Sequence, residues 1–410
     1  MAGIIMNSKA GRTMVPPDRD RGDDMNGRVK DADVLIVGAG PAGAAAARDL
    51  AQAGQRVLLL ERPGGPGRKP CAGGVTVKAL NRLRFPITPV VREEVRAMDF
   101  RLRGGRARVF ETRDPVAVMT HRPEFDAYCL EQARAAGAQL REIPGIRSAR
   151  QHGAGVELHT SNGETLSADW LVGADGAQST VRRLLFGGAA PAGAMAIEGL
   201  LPRERAESYP VTRFDFGALR GGYGWLFPKG DHTNVGLYVW RRGGARPTRE
   251  ALASWSRAVT GSDDLASVQG FPLGTRGRAT PGRGRVLLAG DAAGQVEALL
   301  GEGIYGAIFS GQQAAAALLG GGDVVARYAD LLGVWQEEAA RMNTLAGLFY
   351  GTLPLAFGGL KHGLGKPLMR AYARGETLGQ GKRRWLGARF SGAGPDSPRA
   401  YSRTSGERPG

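Results

Sequence analysis

The chain has 410 residues, with 55 Lys and Arg against 39 Asp and Glu, a formal net charge of +16, and 42% hydrophobic against 23% charged residues. That apolar content excludes a chain kept unfolded by its composition, and the length suits two or three domains or one large α/β body with an inserted sheet. Two cysteines, Cys71 and Cys129, exclude a disulfide framework and a Cys-rich zinc site and point to a reduced, cytoplasmic setting.

Residues 1–32 are polar, irregular and without an apolar stretch of signal-peptide length, so they read as a disordered extension of a chain that is not secreted. The first regular element is the apolar run Val34 to Val37, a buried strand. Gly38, Gly40 and Gly43 follow in G-x-G-x-x-G spacing, then an Ala-rich helical stretch to Ala53, then a second apolar run, Val57 to Leu60, ending in Glu61. Gly38 permits the turn, Gly40 lets the backbone approach a pyrophosphate and Gly43 lets the helix pack on the strand. The helix start offers free N–H groups to phosphates, and Glu61 is placed to accept hydrogen bonds from an adenosine ribose. Ala42 in the turn and Arg62 after the acid join the predicted dinucleotide contacts.

Further along, GRKPCAGGVTVKAL sets Cys71 before small residues and a helical segment, and THRPEFDAYCLEQ opens a helix at Arg122. Cys129 on that helix, among Phe125, Tyr128 and Leu130, reads as a buried small hydrophobe. Asp175 and Gly176 follow a strand at Trp170 to Val172. In GGYGWLFPKGDHTNVGLYV, Tyr223, Trp225 and Phe227 occupy alternate strand positions and so share one face. Asp291 follows a strand at Val286 to Ala289 and precedes a long helix starting near Gly303.

The apolar stretch Leu345 to Leu360 is interrupted by Gly351, Pro354, Gly358 and Gly359, and no segment reaches eighteen uninterrupted apolar residues, so no transmembrane helix is expected. It fits either a core-packed helical hairpin or a broken helix at a bilayer surface, with Lys361, His362, Lys366 and Arg370 facing anionic headgroups. The last fifty residues hold eleven basic side chains against three acids, half of the net excess. Residues 381–410 read as a basic disordered tail. Charge alone does not choose among nucleic acid, an acidic membrane surface and a phosphorylated ligand. The absence of a nucleic-acid module and of interleaved stacking aromatics favours a peripheral membrane contact, with no nucleic acid. On that reading, deleting Lys382 to Gly410 weakens binding to anionic vesicles and spares cofactor binding.

The Gly38 to Gly43 fingerprint, Arg122 in R-x-x-F-D, Asp175-Gly176 and Gly290-Asp291 together resemble the FAD-binding oxidoreductases with the para-hydroxybenzoate hydroxylase type of fold. Cys71-Ala72-Gly73-Gly74, the Y-x-W-x-F-P string from Tyr223 to Pro228 and GEGIY at Gly301 to Tyr305 narrow the resemblance to the geranylgeranyl reductase family, flavoenzymes that saturate isoprenoid double bonds. The resemblance implies an α/β fold, a Rossmann-like FAD-binding domain interleaved with an antiparallel substrate sheet. The FAD-binding parts are expected at 33–84, 120–183 and 282–319, the substrate domain at 85–119 and 198–281, and a helical C-terminal region at 320–380. It also implies that Asp291 meets the ribityl chain, that the Gly303 and Ile304 N–H groups meet the flavin pyrimidine edge, and that Arg122, Ile146, Asp175, Cys71, Ala72 and Gly74 contact the cofactor.

The substrate so implied is an isoprenoid lipid, lying on Tyr223, Trp225 and Phe227. An isolated trisubstituted alkene is not polarised toward hydride, so its reduction needs a proton donor, for which Cys71 and Tyr223 are the candidates. The electron donor is NADPH or a reduced carrier, since no second G-x-G-x-x-G exists. The chain departs from the family pattern at Ala298, where a proline is usual three residues before the glycine at 301. The alternatives are an aromatic monooxygenase or halogenase of the same fold, or a non-catalytic FAD-binding paralogue. Gly294 stands where hydroxylases carry His, and Lys69 does not align with the halogenase lysine.

Overall fold

The apolar run before Gly38 forms the strand Ala32–Val37, buried along nearly its whole length as a strand covered on both faces must be. A computed structural model of the chain describes residues 30–67, 69–153, 155–187, 192–202, 204, 211–240, 245–276, 281–377 and 380. The readings made for residues 1–29 and for the basic tail 381–410 lie outside the described residues.

Ala32–Val37 pairs in parallel with Val57–Glu61 on one side and with Thr165–Gly173 on the other. Val286–Leu288 and Gln139–Glu142 extend the parallel set at its two ends. An antiparallel hairpin, Ile146–His152 and Gly155–Thr160, lies beside Thr165–Gly173, and the short strand Gly282–Arg283 pairs antiparallel with Val286–Leu288 at the edge. The helices Pro41–Gln52, Arg122–Ala135 and Ile304–Gly320 bury their apolar sides in one core with the strands. The first and third approach so closely that a Cβ on Gly311 would lie 2.1 Å from the Ala42 carbonyl oxygen. This contact brings the start of the Ile304 helix to the turn at Gly38.

The second sheet has the strand order Ala266–Gly274, Ala192–Pro202, His232–Trp240, Gly222–Pro228, Thr212–Phe216, Ala97–Leu102 and Arg108–Glu111. It is antiparallel except where Thr212–Phe216 meets Ala97–Leu102. Its strand Ala192–Pro202 begins ahead of Glu198, where the substrate sheet was expected to resume. A small third sheet, Gly74–Thr76, Ala117–Thr120 and Val91–Val95, carries the chain out of the Cys71 segment. Gly236 sits opposite Trp225 in register, and a Cβ there would fall 2.0 Å from the indole, so the glycine makes the seat for the ring.

One face of the second sheet, with Phe100, Phe214, Phe216, Tyr223, Trp225 and Phe227, packs against Phe349, Leu353, Phe357 and Met369 of the C-terminal helices. The stretch Leu345 to Leu360 is therefore partly core. The helix Val324–Gly351 ends before Thr352, Leu353–Gly359 forms a second helix, a π-turn covers Leu360–Leu364 and Gly365–Ala373 closes the run. Leu348, Leu355 and Leu364 on the same stretch are 62%, 80% and 58% exposed. Among the described residues no helix is long and apolar enough to cross a membrane.

Candidate functional site

The turn after the first strand is built by backbone demands that only glycine meets. Gly38 has φ +99° and a Cβ on it would sit 2.5 Å from the Ala174 carbonyl oxygen; a Cβ on Gly43 would sit 1.8 Å from the Gly38 carbonyl oxygen. A Cβ on Gly40 would meet no protein atom within 4 Å, because that side of the turn faces the cavity. Pro41 opens the helix and no side chain caps it, so its first N–H groups remain available to an anion. Glu61 braces the turn: its carboxylate accepts from Ala39 N at 2.7 Å and Arg62 N at 2.8 Å. Asp175 accepts from Thr180 N at 2.6 Å and Val181 N at 3.1 Å through Oδ2, while Oδ1 is buried without a partner and burial holds its carboxyl above the usual range. A buried acceptor lacking a donor, beside a glycine cradle and a helix start, fits a dinucleotide with sugar hydroxyls and a pyrophosphate.

In the same cavity, next to Gly290, whose Cβ would lie 3.0 Å from the Ala42 Cβ, Asp291 accepts from Lys69 Nζ at 2.7 Å and from Gly274 N at 3.2 Å. The Lys69 ammonium is thus tied to the carboxylate expected at the ribityl chain, and it also lies 5.5 Å from the Phe271 ring centroid. The helix Ile304–Gly320 starts at Gly303 with no side-chain cap, and both residues line the cavity. Ile146 lines it at the start of its strand.

Cys71 stands where the cofactor end meets the apolar end. Its N–H donates to Glu198 Oε1 at 2.8 Å and its sulfur accepts from Gly73 N at 3.5 Å. Arg122, beside Cys71, is held by Asp126 through two hydrogen bonds of 2.9 and 2.7 Å. Behind this loop lies Lys229, 2% exposed, with its ammonium 2.7 Å from where a Gly73 Cβ would be. Burial moves both buried groups toward neutrality, lowering the Lys229 ammonium's pKa and raising that of the Glu198 carboxyl, and outweighs their mutual attraction. Cys129 is buried, and desolvation pushes its thiol well up, as a packed and unreactive cysteine requires.

The apolar end is walled by Tyr223, Trp225 and Phe227, all nearly buried, with Phe214, Phe216 and Tyr238 extending the surface. Phe214 meets Phe227 edge to face at 5.1 Å, and Trp225 Nε1 donates to Asn234 Oδ1 at 2.7 Å, so the rings are fixed. The whole cavity measures about 1440 Å³. Sites for single small molecules run to about 300–1,000 Å³, so there is room for a dinucleotide and an extended apolar chain.

Every site residue expected from the sequence lines this one cavity except Gly43, which packs beneath it against Gly38. The sequence reading missed Asp126, Glu198, Lys229, Tyr238 and Glu297. Asp126 was within reach, being the acid of R-x-x-F-D one turn from Arg122; the others carry no local signature.

Glu297 is 2% exposed, and its carboxylate accepts from the N–H groups of Leu299 and, at 3.0 Å, Leu300. Burial is the leading cause that raises its pKa from 4.5 to about 7. A raised carboxyl pKa means that folding favours the protonated form. The contribution is fully present below about 4.5 and is lost as pH rises through about 7. The difference in melting temperature between wild type and Glu297→Gln should therefore change across pH 4.5 to 8, with wild type losing ground as pH rises. A pH-independent difference would show that Glu297 stays in one protonation state.

A family model described as an FAD binding domain matches residues 31–197. A geranylgeranyl diphosphate reductase of Rhodobacter capsulatus is 30% identical over 300 residues, spanning 70% of this chain and 75% of its own. A digeranylgeranylglycerophospholipid reductase of Methanopyrus kandleri is 31% identical over 312 residues, spanning 68% and 78%. Among solved structures, a geranylgeranyl bacteriochlorophyll reductase-like protein of Thermoplasma acidophilum aligns with TM-score 0.70 at 21% identity, covering 87% of this chain and 98% of its own. A probable FAD-dependent monooxygenase of Pseudomonas aeruginosa aligns with TM-score 0.61 at 20% identity, covering 82% and 99%. The two structural likenesses establish the fold that this chain shares with both activities.

Proposed function

Because the chain belongs to the geranylgeranyl reductase family of FAD-binding oxidoreductases, we propose that it saturates carbon–carbon double bonds of a geranylgeranyl or other polyprenyl chain carried on a lipid. The observation that carries this reading is the continuity of the dinucleotide cradle with a long aromatic-walled cavity, meeting at Cys71. When bound and reduced, FAD supplies the hydride; the residues must then hold the alkene dry, orient it and deliver a proton. Gly38, Gly40 and the helix start at Pro41 would hold the pyrophosphate, Asp291 the ribityl chain, and the Gly303 and Ile304 N–H groups the pyrimidine edge.

Proton delivery to a trisubstituted alkene builds tertiary-cation character, which the faces of Tyr223, Trp225 and Phe227 would stabilise. Two groups could give the proton. The Tyr223 hydroxyl donates to the Leu300 carbonyl at 2.5 Å, and burial pushes its ionisation up. Cys71 lines the cavity, its sulfur accepts from Gly73 N at 3.5 Å and it lies beside the Arg122 guanidinium, whereas the Tyr223 hydroxyl is committed to a carbonyl, so Cys71 is the proton donor of choice. NADPH or a reduced carrier is proposed to supply the electrons.

The test is anaerobic: reduced enzyme mixed with a geranylgeranyl lipid should reoxidise without O2 while the lipid gains two hydrogens per bond saturated. Rapid O2 consumption coupled to hydroxylation of an aromatic would instead establish the monooxygenase alternative. The lipid would enter through the C-terminal helices, where Leu345, Leu348, Leu360 and Leu364 line the cavity near exposed Lys361 and Lys366. That opening is proposed to rest on an anionic membrane surface. Replacing Leu348, Leu355 and Leu364 together by Ser should weaken partitioning onto anionic vesicles by at least about tenfold, the effect of burying even one leucine at ~1.5 kcal/mol, and up to about a thousandfold if all three insert. FAD affinity should be unchanged.

A further inference from the structure

Ala298 stands where proline would stiffen the turn ahead of Gly301, and the structure shows what stiffens it instead. Three tyrosine hydroxyls donate to three successive carbonyls: Tyr238 to Ala298 at 2.6 Å, Tyr350 to Leu299 at 2.6 Å and Tyr223 to Leu300 at 2.5 Å. From the other side Glu297 accepts the N–H groups of Leu299 and Leu300, and its own N–H donates to the Glu302 carbonyl at 2.9 Å. Tyr223 and Tyr238 come from neighbouring strands of the second sheet, paired with each other in register. Tyr350 comes from the far end of the Val324–Gly351 helix.

That helix also faces the substrate. Leu345, Leu348 and Phe349 line the apolar end of the cavity, while Leu299 and Leu300 line it beside Gly301, Gly303 and Ile304. At its other end the helix is stapled to the cofactor sheet by Tyr328, whose hydroxyl donates to the Leu288 carbonyl at 2.7 Å, three residues before Asp291. One helix therefore touches the apolar chain's route on one side and hydrogen-bonds the cofactor-side turn through the Tyr350 hydroxyl, with Phe349 in the same apolar cluster as Leu299 and Leu300.

We propose that Tyr350 is a positioning residue that couples occupancy of the apolar cavity to the shape of the 298–301 turn, so that a seated polyprenyl chain fixes the turn at the flavin edge. This rests on placing the flavin at Gly303 and Ile304. A chain lying against Leu345, Leu348 and Phe349 sets the rotation of the helix end, and the Tyr350 hydroxyl passes that setting to Leu299. Tyr223 and Tyr238, on a sheet held by its own ladder, give the turn a fixed reference. Substitution of the hydroxyl alone should uncouple the two regions while leaving both binding sites in place.

The experiment uses the full chain with FAD and geranylgeranyl monophosphate as the probe. In wild type, the probe should perturb the flavin absorbance and slow amide exchange across residues 297–303 by about tenfold, the size of effect that holding one hydrogen bond closed would have. Tyr350→Phe should keep its affinities for FAD and for the probe, the latter read by tryptophan quenching, within about threefold, and should lose both responses. Glu297→Gln, which loosens the same turn from its N–H side, is the second variant should Tyr350→Phe fold poorly, and it should lose both responses too. Wild-type responses in Tyr350→Phe, or in Glu297→Gln where Tyr350→Phe folds poorly, or no response in wild type with the probe bound, overturn the proposal. The exchange measurement repeated without FAD separates the two failures. Probe-dependent slowing that needs Tyr350, with no flavin perturbation, would keep the coupling and overturn the flavin placement.

Discussion

Gly43→Ala is expected to yield a protein that retains no FAD, with affinity reduced by at least about two orders of magnitude, and that melts lower than wild type. The added methyl would lie 1.8 Å from the Gly38 carbonyl oxygen and 3.3 Å from an Ile36 methyl. Neither neighbour is the free end of a flexible side chain: one is the backbone of the turn, the other belongs to the central strand. Relief requires the helix Pro41–Gln52 to move off the sheet, against its packing on Ile304–Gly320, at an overpacking cost of about 1–3 kcal/mol or more. Gly40→Ala makes the informative contrast. Its methyl would project into the cavity, so stability should stay within about 0.5 kcal/mol while FAD affinity falls, because the group intrudes where the pyrophosphate must approach. Flavin absorbance after gel filtration and a thermal melt of each variant suffice. A Gly43→Ala protein that keeps its colour would mean that the pyrophosphate does not lie on this turn.

The glycines of this turn show why this part of the molecule was legible in the sequence. Turn, helix start and acid lie within about thirty residues, and each demand is local: a positive φ at 38, an approach at 40, a contact at 43. The alternation of Tyr223, Trp225 and Phe227 was legible for the same reason, since period two places them on one face without knowledge of what faces them. Strand lengths were less so. Only the apolar end of Thr165–Gly173, Trp170 to Val172, stood out, because its first half owes its strand state to the hairpin partner Gly155–Thr160.

The junction at Cys71 was not legible beyond the cysteine itself. Glu198, which receives the Cys71 N–H, lies 127 residues away, and Lys229 reads as an ordinary charge after a proline. Tyrosine hydroxyls that seek backbone carbonyls 51 to 77 residues off leave no pattern, because every residue offers the same acceptor. In the C-terminal region Pro354 was read as an interruption, whereas it sits in the first turn of Leu353–Gly359, where its missing N–H costs nothing. The break falls at Thr352.

Cys71→Ala is expected to slow alkene saturation by about 10²–10⁴-fold, the span that a positioned general acid contributes, while leaving FAD binding and anaerobic flavin reduction close to wild type. Cys71 lines the cavity, and the backbone that carries it is fixed independently of the side chain: Cys71 N by Glu198, and the Gly73 carbonyl by Thr120 through both its N–H and its hydroxyl at 2.9 Å. Removing the thiol therefore deletes a proton source without releasing the loop. Tyr223→Phe is the necessary partner. It removes a hydroxyl already spent on the Leu300 carbonyl, so it should cost about one hydrogen bond, on the order of tenfold or less in turnover. Rapid-mixing measurement of flavin reoxidation by a geranylgeranyl lipid without O2 reads both. If the order is reversed, with Tyr223→Phe inactive and Cys71→Ala near normal, the proton comes from the phenol, and the Leu300 contact must break during turnover. If both variants saturate the alkene at the wild-type rate, neither residue gives the proton. The search then moves to the buried groups behind the loop, of which Lys229, with an ammonium already pushed toward neutrality, is first.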